Sequence, residues 1–387
     1  MTAAAAHLER ARDLLRRHPI IDGHNDLPWQ VRSEIGVDGD LASYDLAAET
    51  SGQTDLPRLR AGGVGGQFWS VFVPGELGEG FARTQLEQLD LARRIVERYP
   101  GDLALCCTAD EVEATMRGGR IASLLGMEGG HVLEGSLGAL RAFFHLGARY
   151  LTLTHFGTND LGDSATDEPR HGGLSPFGRE VVTEMNRLGM LVDLSHVAPS
   201  TMADALDVSR APVIFSHSSA RALSDVPRNV PDEILARLPA NGGICMVSFV
   251  ASFISQATAD VLAPIQAEAK RRSAGQTDAS VMRRIRDELL AGVQVPVPSV
   301  GDVADHVEHV ARVAGVAHVG IGGDYDGSII WPAGMEDVSG YPLLFAELLA
   351  RGWGEEDLAG VANGNILRVM RAAEGVAAAI RGAEPTG

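Results

Sequence analysis

Short apolar runs recur along the chain about every 30 to 50 residues, at 19–23, 65–73, 121–127, 150–154, 191–194, 212–215, 243–249 and 318–322. They lack strict alternation of apolar and polar positions. That pattern predicts strands buried on both faces, as in a parallel sheet covered by helices. Between most of the runs the apolar positions take helical spacing, as at 83–99, 136–146, 176–188, 200–208 and 302–314. Eight strands with intervening helices predict an α/β fold of the (β/α)8 TIM-barrel type, with a doubly wound open sheet as the alternative. One stretch breaks the rhythm. Residues 255–300 follow the seventh run, are polar and charged, and end in the proline-punctuated VQVPVPSV. They are expected to form a helical insertion after strand 7, beside the strand C-termini where barrel active sites sit. A chain of 387 residues could hold two or three average domains, but the single run of alternating elements assigns 1–387 to one barrel domain.

Polar residues in this pattern collect at the carboxyl ends of the runs. The first ends in Asp22-Gly23-His24-Asn25-Asp26, the third in Glu128, the fourth in His155, the fifth in His196, the sixth in His217 and the eighth in Asp324-Tyr325-Asp326. His24 and Asp26 are two apart, so on an extended strand end both reach the same side. His196 and His217 end neighbouring strands, about 4.8 Å apart in a parallel sheet, and can share one ion. Glu128 ends a strand lying between the first and the fifth, and its two oxygens can bridge. The expected centre is two Zn²⁺, one on His24, Asp26 and Glu128, the other on Glu128, His196 and His217. Two ions at about 3.5–4 Å acidify a shared water, so a bridging hydroxide can attack a carbonyl. Asp324 is expected to move the proton, with Asp326 as its competitor, and His155 to stabilise the developing oxyanion.

A lone histidine is more often structural than functional, and the chain has twelve. Registry at strand ends singles out four of them. His306 and His309 sit at i, i+3 but on an amphipathic segment, so a solvated helix face is expected. His131, close behind Glu128, is assigned either a role supporting the site residues or a loop role, and His7, His18, His145, His171 and His318 are read as structural. GGVGG (62–66) lacks the phosphate-loop order and reads as a tight turn. Cys106, Cys107 and Cys245 have no metal or disulfide spacing.

Charge and composition narrow the classes. The formal charge is −18, from 33 basic and 51 acidic side chains, which argues against nucleic acid or an anionic membrane as partner. No apolar run reaches the roughly 18 residues of a membrane span, and no secretory leader is evident at the start. With three cysteines, a cytoplasmic location is expected.

The blocks DGHNDLP (22–28), GMEGGH (126–131), YLTLTH (150–155), VDLSH (192–196), FSHSSARAL (215–223), RNVPD (228–232) and GGDYDG (322–327) occur in this order. Together they resemble the membrane or renal dipeptidases, peptidase family M19 of the amidohydrolase superfamily. The resemblance implies a barrel with a binuclear zinc centre on His24, Asp26, Glu128, His196 and His217. It implies that His155 contacts the scissile carbonyl and that Asp324 shuttles the proton. It adds Arg228, which spacing did not reveal, as the group that binds the substrate's terminal carboxylate. The implied partner is a dipeptide, with L-D dipeptides carrying a C-terminal D-residue as a candidate subclass, and a homodimer is the assembly considered. A soluble bacterial member is the expectation. Phe253 falls at or near a position where mammalian members carry a substrate-contacting tyrosine. The rival readings keep the barrel: a metal hydrolase of N-acyl amino acids, lactones or phosphotriesters, or a non-catalytic binding protein.

Overall fold

The computed structural model describes residues 3–272 and 279–383. Nine parallel strands form one sheet: β1 (Ile20–Asn25), β2 (Val64–Ser70), β3 (Leu103–Leu105), β4 (Ile121–Glu128), β5 (Ala148–Thr152), β6 (Leu191–Asp193), β7 (Ile214–Phe215), β8 (Ile244–Val247) and β9 (Val319–Ile321). Pairing runs β2-β1-β9-β8-β7-β6-β5-β4, and β2 also pairs with β4, which closes an eight-stranded barrel. The (β/α)8 fold is therefore present, with one strand that the hydrophobic pattern did not show. β3 pairs with residues 121–123 of β4, while β5 pairs with 125–128, so β3 occupies the lower half of an edge that β5 completes. Its sequence, Leu-Ala-Leu, is too short to stand out as a run.

Every residue of β1, β2 and β4 is buried. Successive residues face two different cores. Ile21, Phe68, Leu124, Tyr150, Leu191, Ile214 and Met246 belong to an interior cluster, which also takes in Ile366 and Met370 of the helix Asn365–Ala383. Their neighbours Ile20, Trp69, Leu125, Leu151, Val192, Phe215 and Val247 pack outward beneath the helices. This double burial explains the runs without polar alternation.

Helix ends follow local chemistry. Pro176–Leu188 starts on Ser175, whose side chain accepts the Gly178 N–H, and stops at Gly189 in a left-handed conformation. Val300–Ala314 opens with a capping box between Ser299 and Asp302. The turn read from GGVGG ends the helix Leu56–Ala61 and enters β2, with Gly63 at φ +73°. The segment after β8 contains helices Ala251–Ile254, Gln256–Arg272 and Ala279–Leu290; the expected insertion also covers 273–278, which lie outside the described residues. Its return leg is tied to the loop after β9, where the Ala333 N–H donates to the Pro298 carbonyl at 2.8 Å.

His306 and His309 correct the sequence reading. Both are buried, not solvated. His306 Nδ1 accepts the Ala220 N–H at 3.0 Å and Nε2 donates to the Ile254 carbonyl at 3.0 Å. His309 pairs with Asp232 at 2.7 Å. These two histidines meet the Ala220 and Ile254 backbone and the Asp232 carboxylate rather than water.

Candidate metal centre

Strand register builds the site. Thr152 pairs with Asp193, and Asp193 with Ile214. His155, His196 and His217 each lie three residues beyond one of these aligned positions, so their rings reach the same rim. On the far side, Asp22 pairs with Ile321. Beyond the strands the two chain segments stay joined: the Asp324 N–H donates to the His24 carbonyl at 3.1 Å and the Asp26 N–H to the Tyr325 carbonyl at 2.8 Å. His196 and Asp324 both turn inward through left-handed backbone, each at φ +69°, a conformation uncommon outside glycine but adopted by Asp and His more readily than by most side chains.

Glu128 stands at the centre. Its Oε2 lies 3.5 Å from His24 Nε2, while Oε1 lies 3.0 Å from His196 Nε2 and 3.4 Å from His217 Nε2. His24 Nε2 is also 3.5 Å from Asp26 Oδ2 and 3.9 Å from Asp324 Oδ1. Three overlapping donor groups result: His24, Asp26 and Glu128; Glu128, His196 and His217; and His24, His217 and Asp324. In each, the ligand atoms lie within 4.8 Å of one another. All five ligand residues expected from the sequence converge here.

The donor set fits divalent cations. His24 Nε2 is buried and has no hydrogen-bond partner among the described residues. His196 Nε2 and His217 Nε2 face each other at 3.0 Å beside a carboxylate oxygen. Burial pushes the pKa of His196 and His217 well below the ordinary histidine value, so both rings are neutral and offer lone pairs. For His24 burial also disfavours the charged ring, but Tyr150, Glu128 and Asp26 outweigh it and raise the pKa. Burial raises Glu128 and, more strongly, Asp324. Mixed imidazole and carboxylate ligands suit zinc and similar ions.

Around this cluster sit the other expected residues. His155 lies 3.9 Å from Glu128 Oε1, and burial holds its ring neutral. Its ring is packed by Phe72 and Phe156. Arg228 is buried; it donates to the His217 carbonyl at 3.1 Å and Ser218 Oγ at 3.4 Å, and lies 5.0 Å from the Phe253 ring centroid. Its Nε has no partner among the described residues. Burial lowers its pKa to about 10, which still leaves it charged at neutral pH. Asp326, the competitor of Asp324, is turned away from His24. It accepts the Gln53 N–H at 2.7 Å and gives its own N–H to Gln53 Oε1 at 2.6 Å. His131 Nε2–H donates to the Val73 carbonyl at 2.9 Å, a loop contact beside the site.

Two buried aspartates escaped the sequence reading. Asp22 accepts the His24 and Gly323 N–H groups, each at 2.8 Å, the Gln67 amide at 3.1 Å and the Tyr341 hydroxyl at 2.5 Å. It thereby staples β1 to β9. Asp193 accepts from Thr152 Oγ1, from the Ser195 and Ser216 N–H groups at 3.1 and 2.8 Å, and from Ser216 Oγ at 2.7 Å. Their one signal in the sequence is a carboxylate inside an otherwise apolar run.

The family model described as membrane dipeptidase (peptidase family M19) matches residues 8–384. Dipeptidase 3 of Rattus norvegicus is 43% identical over 374 residues, spanning 95% of this chain and 68% of that protein. Among solved structures, the probable dipeptidase PvdM from Pseudomonas aeruginosa superposes with a TM-score of 0.82 at 23% identity, covering 96% of this chain and 99% of that one. A metallopeptidase from Rhodobacter sphaeroides, liganded with a phosphinate mimic of the dipeptide L-Ala-D-Ala, gives a TM-score of 0.72 at 26% identity over 92% of this chain and 99% of that one.

Proposed function

The chain belongs to the membrane dipeptidases of peptidase family M19, and from that membership we propose a binuclear zinc dipeptidase that accepts L-D dipeptides. That it is a metal-dependent dipeptidase follows from the family itself. The count of ions, their bridging and the stereochemistry are our reading. One observation carries it: the two oxygens of Glu128 address different histidines, His24 on one side and the His196–His217 pair on the other. His24, Asp26 and Glu128 would hold one zinc, and Glu128, His196 and His217 the second. Ions so held supply an acidified water and polarise a carbonyl.

The protein's own residues complete the chemistry. Arg228, a fixed cation with an unused Nε–H, pairs with the substrate's terminal carboxylate through charge-assisted hydrogen bonds. A carboxylate held there sets the scissile bond one residue away and excludes longer peptides. His155, neutral and walled by Phe72 and Phe156, donates a hydrogen bond to the scissile carbonyl oxygen as it gains charge. Asp324, with its Oδ1 3.9 Å from His24 Nε2, takes the proton of the attacking water and delivers it to the leaving amine. A C-terminal D-residue is proposed because the Rhodobacter sphaeroides relative holds an L-Ala-D-Ala mimic. Lactones and phosphotriesters lack the carboxylate that a buried Arg228 would pair with. A cytoplasmic location is part of the proposal, on the three free cysteines. Among the described residues no helix is long and apolar enough to cross a membrane.

The test is metal analysis together with hydrolysis of L-L, L-D and D-L dipeptide libraries by the zinc-loaded enzyme. Two zinc ions per chain and turnover of L-D members are expected. One ion per chain sinks the binuclear reading, and no cleavage of L-D members sinks the proposed selectivity.

A further inference from the structure

Tyr150 lies fully buried inside the barrel on β5, with its phenol oxygen 2.8 Å from His24 Nδ1. The position of the ring is tightly determined. Gly126 pairs with Tyr150 across β4 and β5, and a Cβ placed on Gly126 would come within 2.0 Å of the ring. The absent side chain on β4 is therefore the space that the tyrosine fills. Phe68 packs on its other flank at 5.4 Å between centroids.

A neutral imidazole has one N–H and one lone pair, so whatever fixes the proton on one nitrogen presents the lone pair of the other. His24 Nε2 faces Asp26, Glu128 and Asp324, and Nδ1 faces Tyr150. We propose that Tyr150 is a positioning residue for the metal centre: its oxygen accepts the Nδ1–H of His24 and so holds the Nε2 lone pair toward the ion. The proposal rests on the reading of His24 as a zinc ligand. A phenol oxygen has lone pairs free to accept the Nδ1–H at this 2.8 Å separation. His217 is held by different chemistry. Its Nδ1 lies 2.8 Å from Ser216 Oγ, which donates to Asp193 at 2.7 Å. Each of these two histidines thus has its own lock, and removing one lock loosens one ion.

The experiment is zinc titration of metal-free protein against a chelator of known affinity, for wild type, Tyr150→Phe and Ser216→Ala, with circular dichroism and melting of the metal-free forms alongside. Tyr150→Phe should weaken one of two zinc positions about 10- to 100-fold and leave the other near wild type. In a His24→Ala background Tyr150→Phe should change nothing further, whereas Ser216→Ala should still weaken the remaining ion. Two zinc ions at wild-type affinity in Tyr150→Phe overturn the lock. So does an equal loss at both positions, or a loss that persists without His24, since either marks a merely structural role. A wild type whose zinc binding is indifferent to His24→Ala overturns the reading of the centre, and the lock with it.

Discussion

His196 Nε2 and His217 Nε2 stand 3.0 Å apart at the ends of adjacent strands, with Glu128 Oε1 3.0 Å from the first and 3.4 Å from the second. Both rings are neutral through burial, so lone pairs and a carboxylate oxygen point at one spot. A cation gathered by these atoms binds the folded protein and not the unfolded chain, and so stabilises the fold. Removing metal with a chelator should therefore lower the melting temperature by several degrees, and zinc should restore it. At free zinc near 1,000 times Kd, each ion contributes about 4 kcal/mol to stability. Identical melting curves with and without chelator would count against any ion at this spot.

Glu128→Ala removes the carboxylate whose two oxygens lie nearest His24 on one side and His196 and His217 on the other. Zinc occupancy should fall at both positions together, read by elemental analysis after dialysis. A variant that keeps two ions refutes the bridge.

Asp324 adopts a left-handed conformation that asparagine also tolerates, so Asp324→Asn preserves the backbone and removes only the proton carrier. Zinc content should stay near wild type while kcat falls at least about 10²-fold. Unchanged turnover would remove Asp324 from the reaction.

Arg228→Met should raise KM for dipeptides about 10- to 100-fold, the loss expected for hydrogen bonds to a charged group, and should narrow the gap between dipeptides and tripeptides. Equal rates on dipeptides and tripeptides in the wild type would exclude a carboxylate clamp.

His306 carries a pH dependence that lies away from the metals. Burial lowers its pKa to about 4, against 6.5 when unperturbed. The unfolded chain therefore binds a proton that the folded protein refuses between these values, and stability rises with pH across that window. The contribution is fully present above about pH 6.5 and is lost as pH falls toward 4, amounting to about 3 kcal/mol. His306→Gln keeps a donor and an acceptor but cannot titrate, so its melting temperature should fall less steeply between pH 6.5 and 4. Parallel pH profiles of the two proteins would assign the dependence elsewhere.

Much of the site is legible in one dimension because parallel strands buried on both faces leave apolar runs, and function collects where each run stops. That is why His24, His155, His196, His217, Glu128 and Asp324 stand out. Arg228 does not: it lies in a loop without periodicity, and only the resemblance to a family pointed to it. β3 was invisible because three residues make no run. His306 and His309 looked solvated because an amphipathic helix does not say what its polar stripe meets.

The chain by itself determined the order of strands and helices and the kind of side chain at each strand's end, since both follow from local spacing and residue chemistry. The folded barrel decided which atom faces which: that Glu128 divides its oxygens between His24 and the His196–His217 pair, that Tyr150 occupies the space left by Gly126, and that Asp22 and Asp193 tie neighbouring strands together. Those relations depend on register between segments as much as 301 residues apart, as from Asp22 to Gly323. Register is set by closure of the whole sheet, so no local stretch of sequence contains it.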